Sequence, residues 1–154
     1  MTRMKLTGAL LSSIVLTAAL ATPAFAALGE DGTTVQADVA RMKGVLRITS
    51  SAAFTVHEIT TESGVVVREY VSPDDKVFAV SWRGPLIPDL RQMLGGYYGQ
   101  FQQAANAPHL GGHRHLTIRE PGLVVQSSGR MRAFFGRAWA PDLVPQNFSV
   151  DDIK

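Results

Sequence analysis

Between Phe54 and Trp82, three runs rich in β-branched and aromatic residues, Phe54 to Thr60 (FTVHEIT), Val65 to Val71 (VVVREYV) and Val77 to Trp82 (VFAVSW), follow one another with only short connections. A parallel pair would need a crossover of a dozen residues or more, so these runs can only pair antiparallel, as a three-stranded meander. The connections carry the matching chemistry. Glu62-Ser63-Gly64 offers a glycine for a positive φ, and Ser72-Pro73-Asp74-Asp75 offers proline and aspartate for a type I turn. On the middle run Val65, Val67, Glu69 and Val71 share one face and Val66, Arg68 and Tyr70 the other. Neither face is purely apolar, so one must be partly solvated or paired.

The flanking text changes period. Val35, Val39 and Met42 repeat at helical spacing, with Gly44 where a C-cap glycine belongs, so a short helix is expected over Val35 to Lys43. Ala27 to Thr34 (ALGEDGTT) has nothing apolar after Leu28 and is expected to be a mobile start. After Arg83-Gly84-Pro85, the residues Leu90, Met93 and Leu94 again repeat at helical spacing until Gly95-Gly96. Tyr97 to Ala105 fits either a second short helix or an aromatic loop, and Asn106 to His115 is a loop punctuated by Pro and Gly. Strands are expected over His115 to Arg119, Leu123 to Gln126 and Met131 to Trp139, the last two joined across Ser127-Ser128-Gly129 and the last bulged at Gly136. The fold class predicted is α+β, an antiparallel β-sheet of about five or six strands with two or three short helices. The domain organisation expected is a signal peptide over 1–26, a flexible mature N-terminus over 27–34 and a single α+β domain over 35–154.

The first 26 residues have the three parts of a cleavable secretory leader. Arg3 and Lys5 give the positive start. The apolar stretch from Gly8 to Ala21 is short for a ~30 Å hydrocarbon core, and Ala24-Phe25-Ala26 places a cut before Ala27. Without Arg3 and Lys5 the 15 basic residues fall to 13, equal to the 13 acidic ones. A balanced chain disfavours nucleic acid, which selects clustered excess cations. The chain has no cysteine, which removes disulfides, thiol catalysis and thiolate metal sites. A periplasmic or secreted protein is expected, with no stable membrane span after leader cleavage.

Neither G-x-S-x-G nor S-x-x-K occurs, and Asp74-Asp75 is explained by its turn, so no catalytic residue is assigned. His109, His113 and His115 could hold a metal, but no H-E-x-x-H or neighbouring carboxylate completes a site, and Gly111-Gly112 loosens the backbone between them. Metal and cofactor are therefore both expected to be none. Arg130, Arg132 and Arg137 could form an anion-binding stripe, against a solvated face balanced by Glu58, Glu62 and Glu69. The most unusual text, Trp82-Arg83-Gly84-Pro85-Leu86-Ile87-Pro88-Asp89, followed by Tyr97, Tyr98 and Phe101, has the large semi-rigid side chains of a recognition surface. The binding candidates are Trp82, Arg83, Asp89, Tyr97, Tyr98 and Phe101, with completion of the core as the competing role for the rings.

Two segments, REYVSPDDKVFAVSWRGPLIPDLRQMLG (Arg68 to Gly95) and SGRMRAFFGRAWAPDLVPQ (Ser128 to Gln146), carry the patterns W-x-G-P-x-x-P-D-L and M-R-A-F-F-G-R-A. Through them the chain resembles the small exported proteins of Gram-negative bacteria filed as domain of unknown function 2844. The resemblance implies export and a shared fold, and it brings no catalytic residues. The expected function is a non-enzymatic module that binds an unknown protein or small ligand in the cell envelope through the Trp82 to Phe101 region. The alternatives are an enzyme with an unrecognised site and a histidine-based metal-handling protein.

Overall fold

The computed structural model describes residues 27–107 and 115–154. In chain order it contains α1 (Val35–Met42), β1 (Gly44–Ser50), β2 (Thr55–Thr61), β3 (Val66–Val71), β4 (Val77–Gly84), α2 (Leu90–Leu94), α3 (Tyr98–Asn106), β5 (His115–Glu120), β6 (Leu123–Arg130) and β7 (Ala133–Trp139). All strands pair antiparallel in one sheet of order β1-β2-β3-β4-β7-β6-β5. The α+β class and the meander β2-β3-β4 agree with the sequence reading, while the strand count is seven rather than five or six.

The added strand is β1, an edge strand with Val45 76% and Ile48 53% exposed. Its residues lack the clean alternation of a half-buried strand. Its link to β2 contains neither glycine nor proline, and Ser51 closes it by exchanging hydrogen bonds with Phe54, N to O at 2.9 Å and Oγ to O at 2.9 Å. Helix α1 ends on Lys43 in the left-handed region (φ 49°), one residue before the expected glycine cap. Gly44 serves β1 instead, since a Cβ there would stand 2.5 Å from Ile59.

Three further expectations are corrected. The β6–β7 hairpin does not turn at Ser127-Ser128-Gly129. Pairing continues to Arg130 opposite Ala133, so Met131 and Arg132 form the turn, with Arg132 at φ 64°. Gly136 does not bulge β7, for it pairs in register with Trp82 and Ser127, and the bulge falls between β3 and β4 at Tyr70/Val71. The expected mobile start is packed. Ala27 and Leu28 are buried, Leu28 N–H donates to Met93 O (3.0 Å), Gly29 N–H to Val77 O (2.8 Å), and Lys76 Nζ reaches Asp31 at 2.6 Å. Backbone bonding to β4 and α2 holds this segment where its own apolar content could not.

Register divides the side chains into rows. One row on the helix-covered face runs Leu46, Ile59, Val67, Trp82, Gly136, Ser127 and Leu116 across all seven strands. Helices α1, α2 and α3 close over this face, adding Val35, Met93, Leu94 and Phe101 to its core. Trp82 is 2% exposed and its indole occupies the space that a side chain at Gly136 would need.

The opposite face is only partly covered. Its first row, Val56, Tyr70, Ala79, Trp139 and Val124, is roofed by the segment after β7, where Phe148 packs against Phe78 at 4.8 Å and Phe54 at 5.0 Å between centroids. The middle row, Arg47, Glu58, Arg68, Ser81, Arg137, Gln126 and Thr117, is a polar ladder. The third row, Thr60, Val66, Arg83, Phe135, Ser128 and His115, has no segment over it among the described residues.

Candidate functional site

The polar ladder is satisfied from within. Arg68 Nε donates to Glu58 Oε2 at 2.7 Å, and Arg137 Nε donates to Gln126 Oε1 at 2.8 Å while its Nη1 donates to Val150 O at 2.9 Å. The Lys154 backbone oxygen accepts from Ser81 Oγ (2.7 Å) and Arg68 Nη1 (2.8 Å), and Tyr70 OH accepts from Lys154 N–H (2.9 Å). These bonds strap Val150 to Lys154 over the middle of the sheet. Beyond that strap the face is open.

The open part is a trough of two adjoining cavities of about 810 and 430 Å³, sharing Arg83, His115, Ser128 and Phe135. The larger is within the range of small-molecule sites, roughly 300–1,000 Å³. Val66, Pro85, Ala133 and Phe135 give it carbon surface, and Phe135 is 54% exposed. Arg83, Arg130 and Arg132 line the larger cavity, Arg137 and Lys154 the smaller, and among the described residues no carboxylate side chain lines either. The charge is positive because none of the acidic partners weighed from sequence, Glu58, Glu62 and Glu69, lines either cavity. Glu58 is engaged by Arg68, and Glu69 points to the other face with its neighbours Ile59 and Val80 beneath the helices. Among the described residues, none of Arg83, Arg130 and Arg132 stands within ion-pair distance of a carboxylate.

A second polar cluster lies inside the helix-covered core. His57 and Glu69 are paired across β2 and β3 with Nδ1 and Oε2 at 3.6 Å, and Asp38 of α1 is joined by Gln92 of α2, Nε2 to Oδ1 at 2.6 Å. Exposures of 1% for Asp38, 7% for His57 and 2% for Glu69 leave no route for a substrate. At 3.6 Å the His57–Glu69 contact is longer than a hydrogen bond, and neither His57 Nδ1 nor Glu69 Oε2 has a hydrogen-bond partner among the described residues. Burial pushes the Glu69 carboxyl from 4.5 up to about 7, the charge of Asp38 adds to the rise, and His57 opposes it.

The sequence candidates are dispersed. Arg83 lies in the trough, and Trp82 reaches the smaller cavity only from within the core. Phe101 is a core residue of α3. Asp89 caps α2 by accepting from Arg91 N–H at 2.9 Å. Tyr97 packs against the core beside Gly29, and Tyr98 lies under the Arg91 guanidinium, 5.1 Å from the ring centroid. His109 and His113 fall outside the described residues. His115 opens β5 and its Nδ1 shares a 2.7 Å hydrogen bond with Ser128 Oγ. Among the described residues no three His, Cys, Asp or Glu side chains cluster for a metal, and no helix is long and apolar enough to cross a membrane. Sequence reasoning passed over Val66 and Phe135 as site residues, and it weighed Arg130 only as part of a stripe with Arg132 and Arg137, without Arg83. Their signal was present in the strand alternation, which puts them on one face once the register is known.

The model of a family described as "Protein of unknown function (DUF2844)" matches residues 24–153. No curated protein and no solved structure matches the chain.

Proposed function

The chain belongs to this family of unknown function, and from that premise and the open face of its sheet we propose that it is an exported, non-enzymatic binding module of the bacterial cell envelope. Its ligand occupies the trough across β3, β4, β7, β6 and β5. The observation that carries the reading is that, among the described residues, carbon surface meets three arginines without an ion-pair partner, Arg83, Arg130 and Arg132, and no carboxylate side chain lines either cavity. A polar cleft with converging acids and bases would favour catalysis. The acid and base groups that do converge, Asp38, His57 and Glu69, are sealed beneath helices instead. Export is supported by the leader pattern of Arg3, Lys5, the Gly8 to Ala21 stretch and Ala24-Phe25-Ala26.

The test is to express the full chain in a Gram-negative host, purify it from the periplasm, weigh it, and extract its bound small molecules for mass spectrometry beside Phe135→Glu. The expected result is a polypeptide beginning at Ala27 and a compound recovered from the wild type and lost from the variant. Recovery of the same compounds from both proteins, or of none from either, would overturn the trough as the binding site, and retention of Met1 would overturn the export reading.

A further inference from the structure

Resting on the binding reading, we infer that the trough takes a single-chain amphiphile with an anionic head, its chain along the third register row and its head among Arg83, Arg130 and Arg132. With the head at Arg83 on β4, the row on to His115 on β5 passes Phe135 and Ser128 and crosses three strand spacings of ~4.8 Å, roughly 14 Å, which suits a stretched dodecyl chain. The cations have an unmet demand. Charge-assisted hydrogen bonds from Arg to carboxylate or phosphate are among the strong ones, and among the described residues no side chain in the trough supplies the anion.

The composition of the trough separates this ligand from others. A free sugar or nucleotide needs several acceptors for its hydroxyl and amino groups, and apart from Ser128 and His115, which bond to each other, the larger cavity offers mainly cations and carbon. An extended peptide would need an unpaired strand edge, which the trough offers only at β5, whereas β3, β4, β7 and β6, which carry Val66, Arg83, Phe135 and Arg130, have their backbone bonds filled on both sides.

The same end of the sheet also shows how such a ligand reaches the trough. Leu86, Ile87, Met131 and Phe135 are 56, 50, 90 and 54% exposed. All four lie at the end where β4 finishes and the β6–β7 hairpin turns, and Arg130 and Arg132 flank Met131. Apolar tips beside arginine are what a protein presents to an anionic bilayer surface.

The experiment titrates the full exported chain with monomeric dodecanoate, followed by calorimetry and by the emission of Trp82 and Trp139. Comparators are dodecyltrimethylammonium and inorganic phosphate. Vesicles of phosphatidylglycerol and of phosphatidylcholine form a second arm, with Met131→Glu. The expected result is saturable one-to-one binding of dodecanoate, weakened by about tenfold or more in Arg83→Ala/Arg130→Ala, with both comparators weaker by a similar factor. Arg83, Arg130 and Met131 are exposed, so these variants should fold, and circular dichroism checks that they do. Selective binding to the anionic vesicles, lost in Met131→Glu, supports a bilayer source. Dodecanoate binding without vesicle binding supports a free monomer as the source of the same ligand chemistry. Equal binding of the cationic amphiphile, phosphate binding as tight as dodecanoate, or an unchanged double variant would overturn the inference. No dodecanoate binding, alongside a Phe135-dependent compound of another class in the extraction experiment, would overturn it and leave the binding reading standing.

Discussion

Replacing Glu69 by glutamine should leave the protein little changed in acid and make it more stable in mild alkali. Glu69 is 2% exposed in an apolar row between His57 and Val80, and its carboxyl titrates near 7 where an exposed glutamate titrates near 4.5. Burial is the main cause, and the charge of Asp38 adds to it. Below about 4.5 the folded and unfolded chains both hold the proton, so the group costs nothing in stability. As pH rises the unfolded chain releases it first, and above about 7 the folded chain must keep an ionised carboxylate in its core. With each pKa unit worth 1.36 kcal/mol, about 3 kcal/mol of stability is lost across that window. Glutamine keeps the shape and never ionises. The difference in unfolding free energy between Glu69→Gln and wild type should therefore be within about 1 kcal/mol at about pH 4.5 and favour the variant by about 2–3 kcal/mol at about pH 8. Urea titrations at both pH values, read by far-ultraviolet circular dichroism with the m-value checked for constancy, measure it. Comparing the two proteins at each pH cancels the titration of groups independent of Glu69. A difference that stays flat from pH 4.5 to 8 would refute the reasoning.

Two further substitutions probe the frame that holds the trough. Gly136→Ala should destabilise by about 1–3 kcal/mol and shift the emission of Trp82, because the new methyl meets the indole in a filled core; an unchanged denaturation midpoint would show that the packing there is loose. Arg132→Gly should stabilise by about 1 kcal/mol, since Arg132 holds φ 64° in a turn where glycine is unstrained, while weakening dodecanoate binding; a lower melting temperature would refute the turn geometry.

How far the chain could be read in advance varied with the kind of signal. The meander from Phe54 to Trp82 was legible because short turns leave antiparallel pairing as the sole option, and Gly64 has the positive φ (80°) that its turn demands. The mixed faces of Val66 to Val71 were also a true signal. Glu69 meets His57 inside the core, and Arg68 meets Glu58 outside it. Edge strand β1 was not legible, since exposure on an edge removes the selection for alternation that identifies a strand. Gly136 was misread as a bulge because the sequence has no way to show that Trp82, fifty-odd residues earlier, lies across it.

The candidate site divides in the same way. Local sequence singled out Trp82, Arg83, Asp89, Tyr97, Tyr98 and Phe101 as unusual text, yet neighbours in sequence alternate between the two faces of a strand. Trp82 thus joined the core while Arg83 joined the trough. By itself the sequence determined the α+β class, the antiparallel meander and the absence of cysteine chemistry, all of which follow from local spacing or from composition. Only the tertiary structure decided that Arg83, Arg130 and Arg132 converge on carbon surface without a carboxylate. That outcome depends on strand order and register, which are set by pairings between residues far apart in the chain.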